Sequence, residues 1–317
     1  MQGILEGSIP IILWLQQFSP ALDAPFKAIT FLGEVDFFLL FLPLFYWCLN
    51  RRLGARMSIL IPLSGYVGAM VKVALNQPRP FELDQRVRAL VTQTDRGFPS
   101  AHTQTTVVTW GYLGAALRRT WLWVIAGLLM VLVPLSRLYL GVHFPTDLLG
   151  GYVIGAALLL LYLRLEPTAE TWLGERGLAW QLGAALVLPS LLLLFLPGAD
   201  ETAVVGCAML MGAGAGFALE RRWVGFETDG PWEQRALRLL LGGVVLFCLR
   251  LGLKAAFSGL QPEPAFDFVR YAVMGLWYAV GAPWAFVRLG LAQPDLTPNP
   301  SPKRRGERVS PVGTGKG

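Results

Sequence analysis

The chain has 317 residues, of which 54% are hydrophobic and 15% charged, and it carries a net charge of +6. So large an apolar fraction exceeds what a water-soluble surface accommodates, which excludes an ordinary soluble domain and marks an integral membrane protein. The positive balance does not point to nucleic acid as a partner, because the basic residues sit in short connections between apolar runs and form no contiguous groove-binding surface.

In chain order, residues 1–34 come first. The stretch from Ser8 to Phe31 is amphipathic and interrupted by Pro10, Pro20 and Pro25, which predicts an interfacial or re-entrant segment rather than a full span. Met1 to Pro10 hold Glu6 and no Lys or Arg, so no secretory signal is read there and targeting falls to the first uncleaved span. Apolar runs long enough to cross a bilayer, about 20 residues each, then centre on Val35 to Leu49, Met57 to Leu75, Pro99 to Leu117, Trp121 to Leu135 and Phe144 to Leu163. Four more follow at Leu178 to Leu196, Thr202 to Leu219, Leu237 to Phe257 and Phe268 to Leu289. The expected fold is therefore an all-α, polytopic membrane bundle of about nine transmembrane helices. It divides into a membrane core over 35–165, a C-terminal transmembrane half over 166–292 and a disordered, basic, Pro-rich cytoplasmic tail over 293–317.

Arginines concentrate in the connections at Asn50 to Arg56, Arg118 to Thr120, Arg164 to Gly177 and Glu220 to Arg238, which places those connections in the cytoplasm. Positive charge on the other side is confined to the neighbourhood of three polar clusters, around Arg79, Arg96 and Arg137. This threading brings Lys72, Arg79, His102, Arg137, His143 and Asp147 to one extracytoplasmic face. The short loops and compact chain fit a bacterial inner membrane.

Each cluster has a chemical reading. Lys72, near the end of an apolar run, and Arg79, between Pro78 and Pro80, are anion binders, the guanidinium fork suiting phosphate oxygens. Taken singly, Lys72 has a snorkelling lysine as its alternative, and Arg79 reads rather as a surface arginine. Pro99-Ser100-Ala101-His102 opens a helix with Ser100 as N-cap; the helix start favours an anion, and His102 in the first turn is placed to protonate a leaving oxygen or simply to cap. His143 and Asp147 stand at i and i+4 on one helix face, so the carboxylate holds the imidazole in one tautomer and leaves a neutral nitrogen as nucleophile. Arg137, six residues before His143, completes a phosphate clamp or belongs with them to a structural polar network. Cys48, Cys207 and Cys248 lie in apolar stretches and read as packing residues, and no Cys/His cluster has metal-ligand spacing, so no metal, cofactor or disulfide is expected.

The spacing Lys72-x6-Arg79-Pro80, Pro99-Ser100-x-His102 and Ser136-Arg137-x5-His143-x3-Asp147 resembles the three-part signature of the type 2 phosphatidic acid phosphatase (PAP2) superfamily. That resemblance implies a six-helix catalytic core and a metal-independent phosphatase acting on a lipid mono- or diphosphate in the bilayer. In it His143 forms a phosphohistidine, Asp147 orients His143, His102 protonates the leaving group, and Lys72, Arg79, Ser100 and Arg137 hold the phosphoryl oxygens. Ala101 departs from the family's usual Gly, which puts the local amide geometry in question. The overall layout is also similar to glucose-6-phosphatases and sphingosine-phosphate phosphatases. A phosphotransferase with the same histidine chemistry, or a non-catalytic lipid-phosphate binder or transporter, remains open. Downstream, Arg250, Lys254, Asp267 and Arg270 are expected to form an ion-pair set joining the last two helices, with a second anion site as the alternative.

Overall fold

The computed structural model describes residues 2–195 and 200–294; most of the basic tail expected over 293–317 lies outside them. The described residues are helical, with a single antiparallel bridge between Phe226 and Pro294 and no strand. The helices are α1 (Gln2–Gln16), α2 (Asp23–Phe31), α3 (Val35–Pro43), α4 (Arg51–Leu75), α5 (Pro80–Leu83), α6 (Ala101–Leu117) and α7 (Thr120–Tyr139). They continue as α8 (Pro145–Gly174), α9 (Leu178–Leu194), α10 (Glu201–Trp223), α11 (Trp232–Ala256), α12 (Glu263–Leu276) and α13 (Ala282–Arg288). One π-helical segment, Leu44–Leu49, extends α3 and another, Trp277–Gly281, joins α12 to α13.

Length and apolarity qualify five segments to cross a bilayer: Arg51–Leu83, Thr120–Tyr139, Pro145–Gly174, Glu201–Trp223 and Trp232–Ala256. A sixth arises if Asp23–Phe31 and Val35–Leu49, bent by 49°, count as one span. The remaining helices of the expected nine are α6 and α9, at 17 residues each, and the π-interrupted run from α12 to α13. For α6 the reason is its position. It packs against α4, α7 and α8 and buries Thr103, Gln104, Thr106 and Thr109, so it faces protein and does not need lipid-like hydropathy.

Two sequence boundaries need correction. Pro10 does not interrupt α1, because Leu5, Ile9 and Ile12 form a buried stripe against Val87 and Phe144, and this packing outweighs one lost helical hydrogen bond. The connection expected from Arg164 to Gly177 is instead the last part of α8, which continues through Pro167 to Gly174. Glu166 and Glu170, one turn apart, hold that extension on α4 by pairing with Arg56 and, through Glu170, with Arg52 at 2.9 Å.

Close helix contacts are made at small residues, the usual solution where lipid gives no hydrophobic drive between helices. A Cβ on Gly212 of α10 would lie 2.0 Å from the Ala272 carbonyl oxygen of α12, and one on Gly151 of α8 would lie 2.8 Å from the Ser100 carbonyl oxygen. Gly155, one turn further along α8, meets Gln104 in the same way. The α6–α8 contact therefore fixes the start of α6 against the start of α8, where two of the polar clusters lie. Cys48 and Cys207 are buried as expected, whereas Cys248 is exposed on the outer surface of α11.

Candidate active site

Five chain segments end at one place: the last turn of α4, the loop and short helix around Arg79, the start of α6, the end of α7 and the start of α8. Main-chain bonds tie them together. Gly97 N donates to Gln77 O at 2.9 Å, Ser100 N to Asp147 O at 3.0 Å and Val142 N to Arg137 O at 3.2 Å. The N-terminal helices dock on the same loops, with Gln16 Nε2 donating to the Arg88 carbonyl at 2.7 Å and Tyr139 Oη to Asp23 Oδ1 at 2.6 Å.

His143 and Asp147 pair, Nδ1 lying 3.1 Å from Oδ2, but not on one helix face as expected: α8 begins at Pro145 with Phe144 as its N-cap, so His143 stands in the preceding loop and reaches Asp147 in the first turn. Asp147 is itself held, Oδ2 accepting from Phe144 N at 2.9 Å and Oδ1 from Gln77 Nε2 at 2.6 Å. With Nδ1 committed to the carboxylate, the outward nitrogen of His143 is Nε2, 3.4 Å from Nη1 of Arg79. Burial and then the positive charges of Arg79, Arg137 and Lys72, with His102 beside them, push the His143 pKa well below the ordinary imidazole value, so the ring is neutral. His102 lies on α6 with its ring over Gly33, and its Nε2 is buried with no hydrogen-bond partner among the described residues.

The three cations are handled differently. Arg79 is 1% exposed and spends every nitrogen within the protein: Nε on Asp95 O at 2.7 Å, Nη1 on Val142 O at 2.6 Å and Nη2 on Asp95 Oδ1 at 2.5 Å. Lys72 pairs with the other oxygen of the same carboxylate, Asp95 Oδ2. Burial raises the Asp95 pKa, but Lys72 and Arg79 outweigh it and hold the carboxyl below its ordinary value. Arg137, fully buried, donates through Nη1 to Thr30 Oγ1 at 2.7 Å, while Nε and Nη2 have no partner among the described residues. Ser100 caps α6 as expected, its Oγ accepting from Thr103 N at 3.4 Å and Thr103 Oγ1 at 3.0 Å. Ala101 begins α6 and is absent from the residues with positive φ, so the missing Gly costs no backbone strain.

Four neighbours escape the sequence reading. Asp95 and Gln77 lie close to the motifs, and an acid in the loop leading to Pro99-Ser100 was a usable signal for Asp95. Thr30, 107 positions from Arg137, and Gly33 under His102 carry no local mark. The downstream ion pairs also differ from expectation: Arg250 pairs with Asp36 of α3, and Arg270 with Asp267 of its own helix at 2.8 Å, so neither joins α11 to α12.

The profile of the PAP2 superfamily matches residues 53–170, and that of the PAP2 superfamily phosphatase, transmembrane extension, matches residues 204–294. The chain is similar to lipid phosphate phosphatase delta of Arabidopsis thaliana, 31% identical over 205 residues that cover 60% of this chain and 49% of that protein. It is similar to sphingosine-1-phosphate phosphatase 2 of Mus musculus, 33% identical over 147 residues, 43% of this chain and 40% of that one. It also resembles glucose-6-phosphatase 3 of Mus musculus, 30% identical over 214 residues, 59% of this chain and 62% of that one. These matches span about half the length of the relatives.

Proposed function

Since this membrane chain belongs to the PAP2 superfamily, we propose that it is a phosphatase hydrolysing a lipid mono- or diphosphate through a phosphohistidine on His143. One observation carries the reading: a neutral imidazole pinned through Nδ1 by Asp147 presents Nε2 beside a buried guanidinium, in a cavity also lined by Lys72 and His102. The Nε2 lone pair attacks phosphorus, the P–N bond forms as the P–O ester bond breaks, and the leaving oxygen takes a proton from His102, whose imidazolium form the negative charge of the bound phosphate favours. His102 then removes a proton from water, which attacks phosphorus, breaks the P–N bond and releases inorganic phosphate. Arg137 offers its two unspent nitrogens to the charge that develops on the phosphoryl oxygens. Lys72 and Arg79 donate to the same oxygens in competition with Asp95, and Ser100 with the first turn of α6 completes the clamp.

Orientation follows from charge. The opposite end of the bundle carries Arg51, Arg52, Arg56, Arg118, Arg119 and Arg164, which favours the cytoplasm for that end and the extracytoplasmic side for the site. The same short, Arg-rich loops suit a bacterial inner membrane.

The test is phosphate release by detergent-purified protein in EDTA over lipid and soluble phosphate esters, beside His143→Ala. Release that survives chelation and vanishes in the variant is expected. Release that persists in a folded His143→Ala protein removes the phosphohistidine. Phosphate appearing only on an added alcohol would make the protein a transferase.

A further inference from the structure

The cavity that holds Lys72, His102 and His143 does not end at the charged groups. It measures about 750 Å³ and continues between the two halves of the chain. One wall comes from α3, through Phe38, Leu39 and Leu42; the opposite wall comes from the C-terminal half, through Val205 and Met209 of α10, Leu246 of α11 and Tyr271 of α12. Its floor is one stripe of α4. Ile61, Gly65 and Lys72 all face it, and separations of four and seven residues put them on one side of a helix. At 1.5 Å per residue, the path from Lys72 to Ile61 is about 16 Å, close to the depth of a single leaflet of a bilayer whose hydrocarbon core is about 30 Å thick. Beyond Ile61 the slot meets Tyr278, which is 3% exposed and fixed by a 2.8 Å hydrogen bond to Ser58.

We propose that this slot binds the hydrocarbon chain of the substrate inside the protein, with α10 to α12 supplying the wall that reads it and Tyr278 marking its inner end. The ligand class is a single extended apolar chain of up to one leaflet's depth attached to a terminal phosphate. The phosphate meets the clamp while the chain lies along α4 toward mid-bilayer. This rests on the phosphatase reading for the identity of the head group, and it goes beyond that reading by assigning the tail to a built site rather than to surrounding lipid.

Gly65 is the place to test it. A Cβ there meets only Thr202 Cγ2, at 3.8 Å, so a larger side chain projects into the slot without striking backbone, and replacing a mid-helix Gly favours the helix. The measurement is inhibition and thermal stabilisation of the full chain in detergent by a series of n-alkyl phosphonates from ethyl to hexadecyl, alongside hydrolysis of the corresponding alkyl phosphates. In the natural protein, affinity should rise about two- to fourfold per added methylene until the slot is filled, then level off. In Gly65→Phe the ratio of hexadecyl to ethyl affinity should fall at least tenfold, and Gly65→Leu should fall between the two. An unchanged ratio in Gly65→Phe, or a natural protein whose affinity does not depend on chain length, overturns the slot. If phosphonates bind with the expected chain dependence but no ester is hydrolysed, the catalytic reading fails and the slot stands.

Discussion

Two arginines at opposite ends of the bundle, Arg238 and Arg137, are both fully buried, yet they are treated in opposite ways. Arg238 on α11 gives Nε to Leu291 O at 2.7 Å, Nη1 to Thr228 O at 2.8 Å and Trp47 O at 3.2 Å, and Nη2 to Asp229 O at 2.7 Å. Arg137 on α7 makes one such bond, to Thr30, and leaves two nitrogens without one. A buried charge is tolerated when every donor is satisfied, as at Arg238, which staples two loop segments and the π-helical Leu44–Leu49 to the end of α11. Leaving donors unspent is costly, and the proposed clamp role gives that cost a purpose: the two nitrogens would meet an anion. The same contrast separates the regions around them. At the far end Arg52 and Arg56 are matched by Glu166 and Glu170, which lock α8 to α4, whereas at the site a single carboxylate, Asp95, serves both Lys72 and Arg79.

The largest test of this contrast is at the nucleophile: His143→Ala should lower kcat by about 10⁴-fold or more, measured as phosphate release by protein of unchanged thermal stability. Next comes the arginine pair itself. Arg137→Met should cost about 10²–10³ in kcat, the usual effect of removing one oxyanion donor, with Tm held or raised. Arg238→Met should instead lower Tm, because it strands several buried carbonyls, while the activity of the fraction that remains folded stays near that of the natural protein. If both variants lose stability alike, the two arginines are alike and the clamp role of Arg137 fails.

Asp95→Asn removes the carboxylate that competes for Lys72 and Arg79. Inorganic phosphate should inhibit this variant about fivefold more tightly, the scale of a partly exposed ion pair. Weaker phosphate inhibition would show instead that Asp95 shapes the clamp rather than contesting it. The smallest effect is in pH. Because the His143 pKa lies below the ordinary value, the nucleophile is already neutral through pH 6.5 and loses activity only as pH falls through the lower, folded value. The acidic limb of kcat/KM for a soluble ester should therefore lie below about 6.5, and a limb at or above that value would contradict the electrostatics of the site.

Much of the site was legible because its chemistry is local. The closeness of His143 and Asp147 in sequence brings them together, though from the loop before α8 rather than along one helix face, and Ser100 one residue before α6 is an N-cap by type and place. Pro145 starts α8 as its missing N–H allows. What could not be read was the partner of each charge: Gln77 on Asp147, Thr30 on Arg137 and Asp95 between Lys72 and Arg79 are polar residues of ordinary type, and no periodicity distinguishes them. Of the nine spans expected, five or six segments have spanning length and apolarity, and α6, walled in by α4, α7 and α8, is among those that fall short of them.

By itself the sequence determined the setting and the parts: a chain too apolar for water, helices where hydropathy and helix signals agree, and three polar clusters of cations, imidazoles and a carboxylate. Those follow from composition and from contacts within a few residues, which every conformation of a segment shares. Only the tertiary structure decided which donors are satisfied and which are held open, and that the C-terminal half walls a leaflet-deep slot leading away from His143. Such features depend on side chains that are brought together from distant positions by close helix packing at Gly151, Gly155 and Gly212, and no stretch of the chain contains that information alone.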